Sequence, residues 1–549
     1  MKYSLLVLIS LMTTVAHGQS KKFSFRLGSE YELPRKSEDL SFFGNDKDGI
    51  VNLSLKKDEL NISGFDPKTL TQTTEKRIEL PEATRNLNSE GVTDFNGTDY
   101  FWMHSDWDKE SKTETIYYDK LDIVTGKLTS GNNKMFETTR LAGEGFDQSV
   151  FQAKTTGKYR FNYDFEHKKL LVSYRLWPEE RNDKKNYDKI GLQVFDEKMN
   201  KLWGGEFTMP YTEAVMDNSD FSIDGNGNAY MLAKVYDSEK RKEKDKETGK
   251  PAYHFEVLKF VKGSKKIISA AITLDDYFIR ATSLIENSGH EMIIASTYSK
   301  KSKGVGTDGI FLAALDQNNK VVRYRNGYYE FPLADLEKYE SARTRRRMER
   351  KDDYEAPNIL VRDIVVEADG AVLMVMEEYL KQVTETLDHR TMNSRTTTTY
   401  YYEDIIVGRV SAAGKFEWLR KIPKKQMYST TTYGSISRSY IYYNLPGTMG
   451  FKLVADASGY YFLYLDNKRN INIQEDEVPK YHIDGAGGQV VVSKLDKAGV
   501  ITNKEIVFDT REEDVMVFPA KFTRINGNQF IGRARVKKNR FQPLLITVN

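Results

Sequence analysis

The feature that most constrains this chain is a hairpin that recurs along its length. Segment 190–209, IGLQVFDEKMNKLWGGEFTM, is its clearest copy. An alternating apolar run enters a tight polar turn led by Asp196 and leaves as a second alternating run. Alternation with period two is the mark of a strand with one buried face. A unit repeated at this scale signals stacked supersecondary modules.

Two hairpin types alternate. The first has a turn rich in Asp, Gly and Asn followed by a strongly apolar strand. Clear copies occupy 221–235, 282–297, 364–378 and 452–466, and fainter ones 41–55, 92–105, 161–175 and 521–536. Gly and Asn supply the positive φ that short hairpin turns require. The apolar second strands suit positions covered on both faces. The second type, which includes 190–209, has turns starting at Asp66, Asp122, Asp196, near Val261, and at Asp316, Ser411 and Asp496.

There are eight copies of the first type and seven of the second. The last copy, 521–536, is followed by a single strand at 544–548, where the chain ends. The alternating run FSFRLGSEYEL at 23–33 has no partner of its own. These counts predict an all-β fold, a β-propeller of eight four-stranded blades, closed by the N-terminal strand. Seven blades is the alternative, since the copy at 41–55 is weak. Closure hides sheet edges that would otherwise pair with other chains. No Pro/Gly/Ser linker interrupts the series, so 19–549 reads as one domain.

Four-stranded blades need about 40–50 residues. The excess falls in five inserts, 236–254, 333–358, 380–403, 422–450 and 467–489. All connect hairpins or blades, so all are expected on one face, where loops on a rigid scaffold carry binding residues. Insert 236–254 holds SEKRKEKDKETGK and reads as a solvated hairpin tip. Insert 333–358 reads as a short helix with Arg343, Arg345, Arg346, Arg347 and Arg350. Those arginines suit a phosphate or an acidic partner. The insert's seven basic and seven acidic residues favour pairing among themselves. Inserts 380–403 and 422–450 supply Tyr400, Tyr401, Tyr402, Tyr428, Tyr433, Tyr440, Tyr442 and Tyr443. Tyr offers rigid area with a polar tip and favours recognition. The same Tyr/Thr alternation also suits plain β-ribbon extensions.

Residues 1–18 read as a secretory signal. Lys2 gives the positive start, 5–15 the apolar core, and Ala16 and Gly18 the small residues before a cut at Gln19. No later run approaches a membrane span. The chain has no Cys, which excludes disulfides, thiolate metal sites, a cysteine nucleophile and an N-terminal lipid anchor on cysteine. A net charge of +3 points to neither nucleic acid nor a membrane surface.

Chemical motifs are absent from the pattern. The histidines after the signal stand singly, without zinc spacing. The Asn45 and Asp224 turns lack the glutamate of a calcium loop. Gly485, Gly487 and Gly488 are not followed by a helix pattern, as a phosphate-binding loop would be. The expectation is no metal, no cofactor and no catalytic residue.

Leu121-Asp122-Ile-Val-Thr125-Gly126-Lys127, Gly414-Lys415-Phe-Glu-Trp418 and Trp203 together resemble the bacterial quinoprotein-type propeller repeat. In that family a Trp docks neighbouring blades, and the quinone-dependent dehydrogenases carry adjacent cysteines, which this chain lacks. The resemblance implies an exported eight-bladed propeller. The architecture also serves a non-enzymatic scaffold of outer-membrane β-barrel assembly. The expected function is a non-enzymatic scaffold that binds another cell-envelope protein, periplasmic or outer-membrane-associated, with the cell surface open. The alternative is a propeller that binds or cleaves glycans on Tyr-rich platforms.

Overall fold

A computed structural model describes residues 20 and 22–549 except 81–85, 96, 140, 143–157, 178–184, 273, 317–319, 352–353, 389–392, 434–444, 486, 503 and 538. The 1–18 segment and Tyr440, Tyr442 and Tyr443 therefore lie outside the described residues.

The chain is nearly all strand, with two short α-helices and three 3-10 turns among the described residues. Eight antiparallel sheets of four to six strands follow one another along the chain. They span 38–79, 88–139, 141–212, 216–272, 278–330, 359–433, 452–509 and 516–548, numbered one to eight below. Sheet six also takes in one parallel pairing, to His482–Ile483.

Every hairpin read from the sequence forms. Each Asp/Gly/Asn turn joins the first strand of a sheet to its second, as Met216–Ile223 joins Ala229–Tyr236. The second strands are the buried ones: all eight residues of Met292–Ser299 and of Gly459–Asp466 are buried. The Asp-led turns join third strands to fourth. Local chemistry explains their shape. The Asp122 carboxylate accepts from the backbone N–H of Val124 (2.9 Å) and Thr125 (3.1 Å) and from the Thr125 hydroxyl (2.7 Å). Asp66 with Thr69 repeats the arrangement, and so does Asp245 with Thr248 in the insert between the second and third strands of sheet four. Each is an Asx turn, in which the side chain replaces a backbone acceptor. Asp224 likewise accepts from the N–H groups of Asn226 and Asn228, a hairpin turn.

Packing runs from each sheet to the next. Ile190, Leu192 and Val194 of sheet three meet Phe221, Met231 and Val235 of sheet four. Seven such clusters join sheets one to eight in order. An eighth brings Ile525, Ile531, Phe541 and Leu545 of sheet eight against Phe42, Ile50 and Phe65 of sheet one, with Tyr31 between. The N-terminal strand Phe23–Leu27 pairs with Arg540–Val548 in the register Phe23↔Val548 to Leu27↔Leu544. The sheet-eight strand order thus begins with the first strand of the chain.

Turns on the hairpin side also tie sheets together. Glu286 of sheet five is buried and accepts from the N–H of Phe165 (2.6 Å), in sheet three, and of Gly225 (2.7 Å), in sheet four. Trp203 donates to the carbonyl of Gly227 in the next sheet (2.7 Å), and Trp418 to that of Lys497 (3.4 Å). No helix among the described residues is long and apolar enough to cross a membrane.

Candidate functional site

Four of the five inserts meet one another. The Tyr339 N–H, in insert 333–358, donates to the Glu475 carbonyl of insert 467–489 (2.7 Å), and Lys338 pairs with Glu475 at 3.0 Å. Strand Gln426–Tyr433, in insert 422–450, pairs along Asn393–Val410 on one side and with His482–Ile483 on the other. Insert 236–254 folds as a separate hairpin, with Lys250 reaching Asp276 (3.0 Å) and Lys234 reaching Glu243 (2.8 Å).

Insert 380–403 is the tip of two long strands, Val372–Asp388 and Asn393–Val410, paired to Asp388↔Asn393. With Gln426–Tyr433 they make a three-stranded ribbon that extends beyond the body of sheet six. One face carries the aromatic rings. Tyr400 stacks on Tyr428 (centroids 4.6 Å), and Tyr402 meets Tyr379 at 5.0 Å. Arg362 covers both Tyr379 and Tyr402. Tyr401 is on the opposite face and contacts Tyr481 at 6.0 Å.

The ribbon extension read from the Tyr/Thr alternation is formed, and its tyrosines are partly covered. Tyr428 is buried, and Tyr400, Tyr401 and Tyr402 are half-buried. The reason is their place on the middle strand or its inner neighbour, where adjacent rings and Arg362 cover them. The backbone of Tyr433 pairs with Arg395. What the ribbon exposes is its outer strand: Leu380, Val383 and Leu387 are 41%, 54% and 45% exposed. In the sequence these plainer residues stand out less than the tyrosines beside them. The cue was available in the run LKQVTETL, whose apolar residues are too sparse for a covered strand.

The helix expected in insert 333–358 is present as α1 (Leu333–Leu336) and α2 (Ala342–Glu349). Ser341 caps α2, accepting from the Thr344 N–H at 3.1 Å. Arg345 donates to the Asp476 carbonyl (3.4 Å). Among the described residues Arg345, Arg346 and Arg347 form no ion pair with the insert's own acids. Glu340 is taken by another partner.

That partner is Lys421, in a buried charge cluster under the inserts that sequence reading missed. Lys421 Nζ lies 2.8 Å from Glu340, 3.2 Å from Asp404 and 3.6 Å from Glu378. It also donates to the Leu336 carbonyl at 3.2 Å. Lys424 Nζ lies 2.7 Å from Glu377, which also receives Arg362. Four carboxylates therefore face three cations. Burial, reinforced by Asp404 and Glu340, pushes the Glu378 carboxyl up to about 8, against the pull of Lys421. A protonated Glu378 leaves the cluster balanced at neutral pH. The oxygens of Glu340, Glu378 and Asp404 lie within 4.8 Å of one another, close enough to hold a metal ion. The Lys421 ammonium sits on all three and takes the role a cation would have.

The Glu378 proton has a pH signature. Its carboxyl is raised from 4.5 to about 8 on folding. Between those values the folded chain holds a proton that the unfolded chain has lost, so stability falls as pH rises through this window. Each pH unit in it is worth up to about 1.4 kcal/mol per proton. Glu378→Gln is therefore expected to flatten the decline in urea midpoint from pH 6 to 9, and to exceed the unsubstituted protein at pH 9. A parallel decline in both proteins refutes the assignment.

No protein-family model and no curated protein matches the sequence. Similar solved structures include a prolyl endopeptidase (8% identity, 80% of this chain and 58% of that chain, TM-score 0.32). Others are the WD40 domain of SCAP from fission yeast (6% identity, 97% and 99%, TM-score 0.36) and a PL25 ulvan lyase (11% identity, 82% and 90%, TM-score 0.36). The chain spans little more than half the length of the prolyl endopeptidase.

Proposed function

We propose that this protein is an eight-bladed β-propeller closed by its N-terminal strand, and that it is a non-enzymatic scaffold binding another protein of the cell envelope. The observation that carries the reading is the ribbon on sheet six. Its outer strand, from Leu380 to Asp388, has no further strand beside it among the described residues. An open strand bearing apolar side chains is a template for strand addition. The flanking inserts brace it through Tyr401–Tyr481 and the pairing of Gln426 with His482. The sequential packing of eight sheets supports the blade count. Trp203 and Trp418, each docked on the following sheet, support the quinoprotein-type repeat. The signal-like start supports export, with periplasmic or outer-membrane-associated residence.

The test is affinity capture from a gently detergent-solubilised envelope fraction. The unsubstituted protein is expected to bring down one partner at near-stoichiometric level. In the comparison variant, residues 382–399 are replaced by Asn-Gly, joining the paired residues Lys381 and Tyr400. A two-residue turn of this kind closes an antiparallel pair, and the Tyr400–Tyr428 stack is kept. That variant is expected to fold and to lose the partner. Capture of monomer alone by the unsubstituted protein, or an undiminished partner with the variant, overturns the reading.

A further inference from the structure

A second feature of the insert face lies apart from the ribbon's outer strand. A cleft of about 390 Å³ opens beside sheet seven, its lining including Lys468, Arg469, Tyr481, His482, Asp509 and Arg511. Three cations and a single acid face it. Asp509 is partly engaged, accepting from the Arg511 backbone N–H at 2.9 Å. Elsewhere on this face lysines are matched: Lys504 with Asp466 at 2.6 Å, Lys425 with Glu403 at 3.8 Å. Among the described residues no carboxylate pairs with Lys468, Arg469 or Arg511. Unmatched cations gathered around one concavity make a field that concentrates anions.

His482 adds an independent observation. It is 4% exposed, and its Nε2 has no hydrogen-bond partner among the described residues. Buried polar atoms of this kind are rare and call for a ligand or a water. Burial and the neighbouring Arg511 hold its imidazole neutral, lowering it to about 4. A neutral ring can donate or accept, so it can bond an uncharged group of a ligand whose charge sits on the arginine.

The glycines at 487 and 488 shape the cleft. A Cβ at Gly488 would come within 2.8 Å of the His482 ring, and one at Gly487 within 2.5 Å of Arg511 Nε. Both have positive φ, +69° and +101°. Any side chain here would displace the two residues that define the cleft. The glycine-rich run thus serves to seat His482 and Arg511 against the backbone, with no helix following it.

We infer that this cleft binds a small organic anion, its charged group held by Arg511, Lys468 and Arg469, and its hydroxylated or planar body set against Tyr481 and His482. The volume falls within the range of small-molecule sites and exceeds what a bare phosphate fills. Arg511 suits a carboxylate, sulfate or phosphate, each of which takes two of its N–H groups. This site is independent of the partner-binding reading and stands if that reading fails.

The test is calorimetric titration of the full mature chain at low salt and pH 7 with glucuronate, glucose 6-phosphate, glucose and inorganic phosphate. Both sugar anions are expected to bind, glucose not at all, and phosphate at least about tenfold more weakly than glucose 6-phosphate. Arg511→Gln is expected to weaken the sugar anions by about tenfold or more, the scale of one charge-assisted hydrogen bond. The exposed pair Lys468→Gln with Arg469→Gln is expected to act in the same direction, which covers a failure of the first variant to fold. Failure of both sugar anions to bind, glucose binding equal to glucuronate, phosphate as tight as the sugar phosphate, or affinity unchanged in the variants overturns the inference.

Discussion

Lys421→Met is expected to destabilise the protein by about 3–5 kcal/mol, the scale for removing one partner of a buried ion pair. Methionine keeps most of the lysine's volume, so the change isolates charge from packing. It leaves Asp404, which is buried, and Glu340 without their shared cation, and strips Glu378 of the attraction that opposes its protonation. The Leu336 carbonyl loses a donor as well. The cost is reducible by neutralising what remains. Adding Glu340→Gln and Asp404→Asn to Lys421→Met is expected to recover a large part of the loss, because buried pairs replaced as a set are often tolerated. The measurement is the urea midpoint at pH 7 for the single and triple variants. A loss under about 1 kcal/mol in the single variant, or a triple variant no better than the single, would sink the assignment of Lys421 as the cluster's counter-charge. Lys421 also joins the base of the ribbon to insert 333–358 through Glu340, so its loss should loosen both.

The contrast between what sequence could and could not show follows from range. Asp122 and Thr125 are three residues apart, and their turn is decided by bonds within that span. The clear copies of the apolar second strand declare themselves by unbroken runs such as VLMVM. Counting hairpins left one strand unmatched at 23–33, and that segment does pair with Arg540–Val548. The charge cluster is different in kind. Glu340, Glu377, Glu378, Asp404, Lys421 and Lys424 converge from four segments, and any of 79 acidic residues could have been named. Only the register of strands Val372–Asp388, Asn393–Val410 and Phe416–Ile422, with insert 333–358 docked on them and the turn at Lys424, selects these. The covering of the tyrosines is illegible for a related reason. Their abundance is visible in the sequence, but which strand of the ribbon lies in the middle, and so which rings are covered, is not. The cleft at His482 was hidden too, since its cations come from 468–469 and 511, joined only by the folding of sheet seven.

Deleting residues 20–33 should abolish cooperative folding of the chain alone and allow rescue by the same segment supplied as a free peptide. The deletion removes five paired residues from the edge of Arg540–Val548, and two more at Tyr31 and Glu32. It also removes Phe23 and Tyr31, each 3% exposed, and Phe25, stacked on Phe508 at 4.3 Å. Loss of a buried Phe costs about 3–5 kcal/mol. Two buried aromatics together then approach the whole stability of an ordinary domain, about 5–15 kcal/mol. The edge left behind is apolar: Leu544, Leu545 and Ile546 are buried in the intact protein. Such an edge pairs with whatever strand it meets, so the truncated chain should associate with itself on size exclusion. A peptide of residues 20–33 should return it to monomer and restore a single melting transition, because it re-enters by strand addition. Register supplies the control. A peptide with Phe23→Asp and Tyr31→Asp keeps the backbone donors and acceptors but places charge in the clusters shared with sheets seven and one. It should not rescue. If the truncated chain stays monomeric with an unchanged melt, or the charged peptide rescues equally, the first strand is an ornament rather than the closure. In that case the eight sheets hold together through the seven forward interfaces, and the contact of sheet eight with sheet one follows from the others instead of securing them.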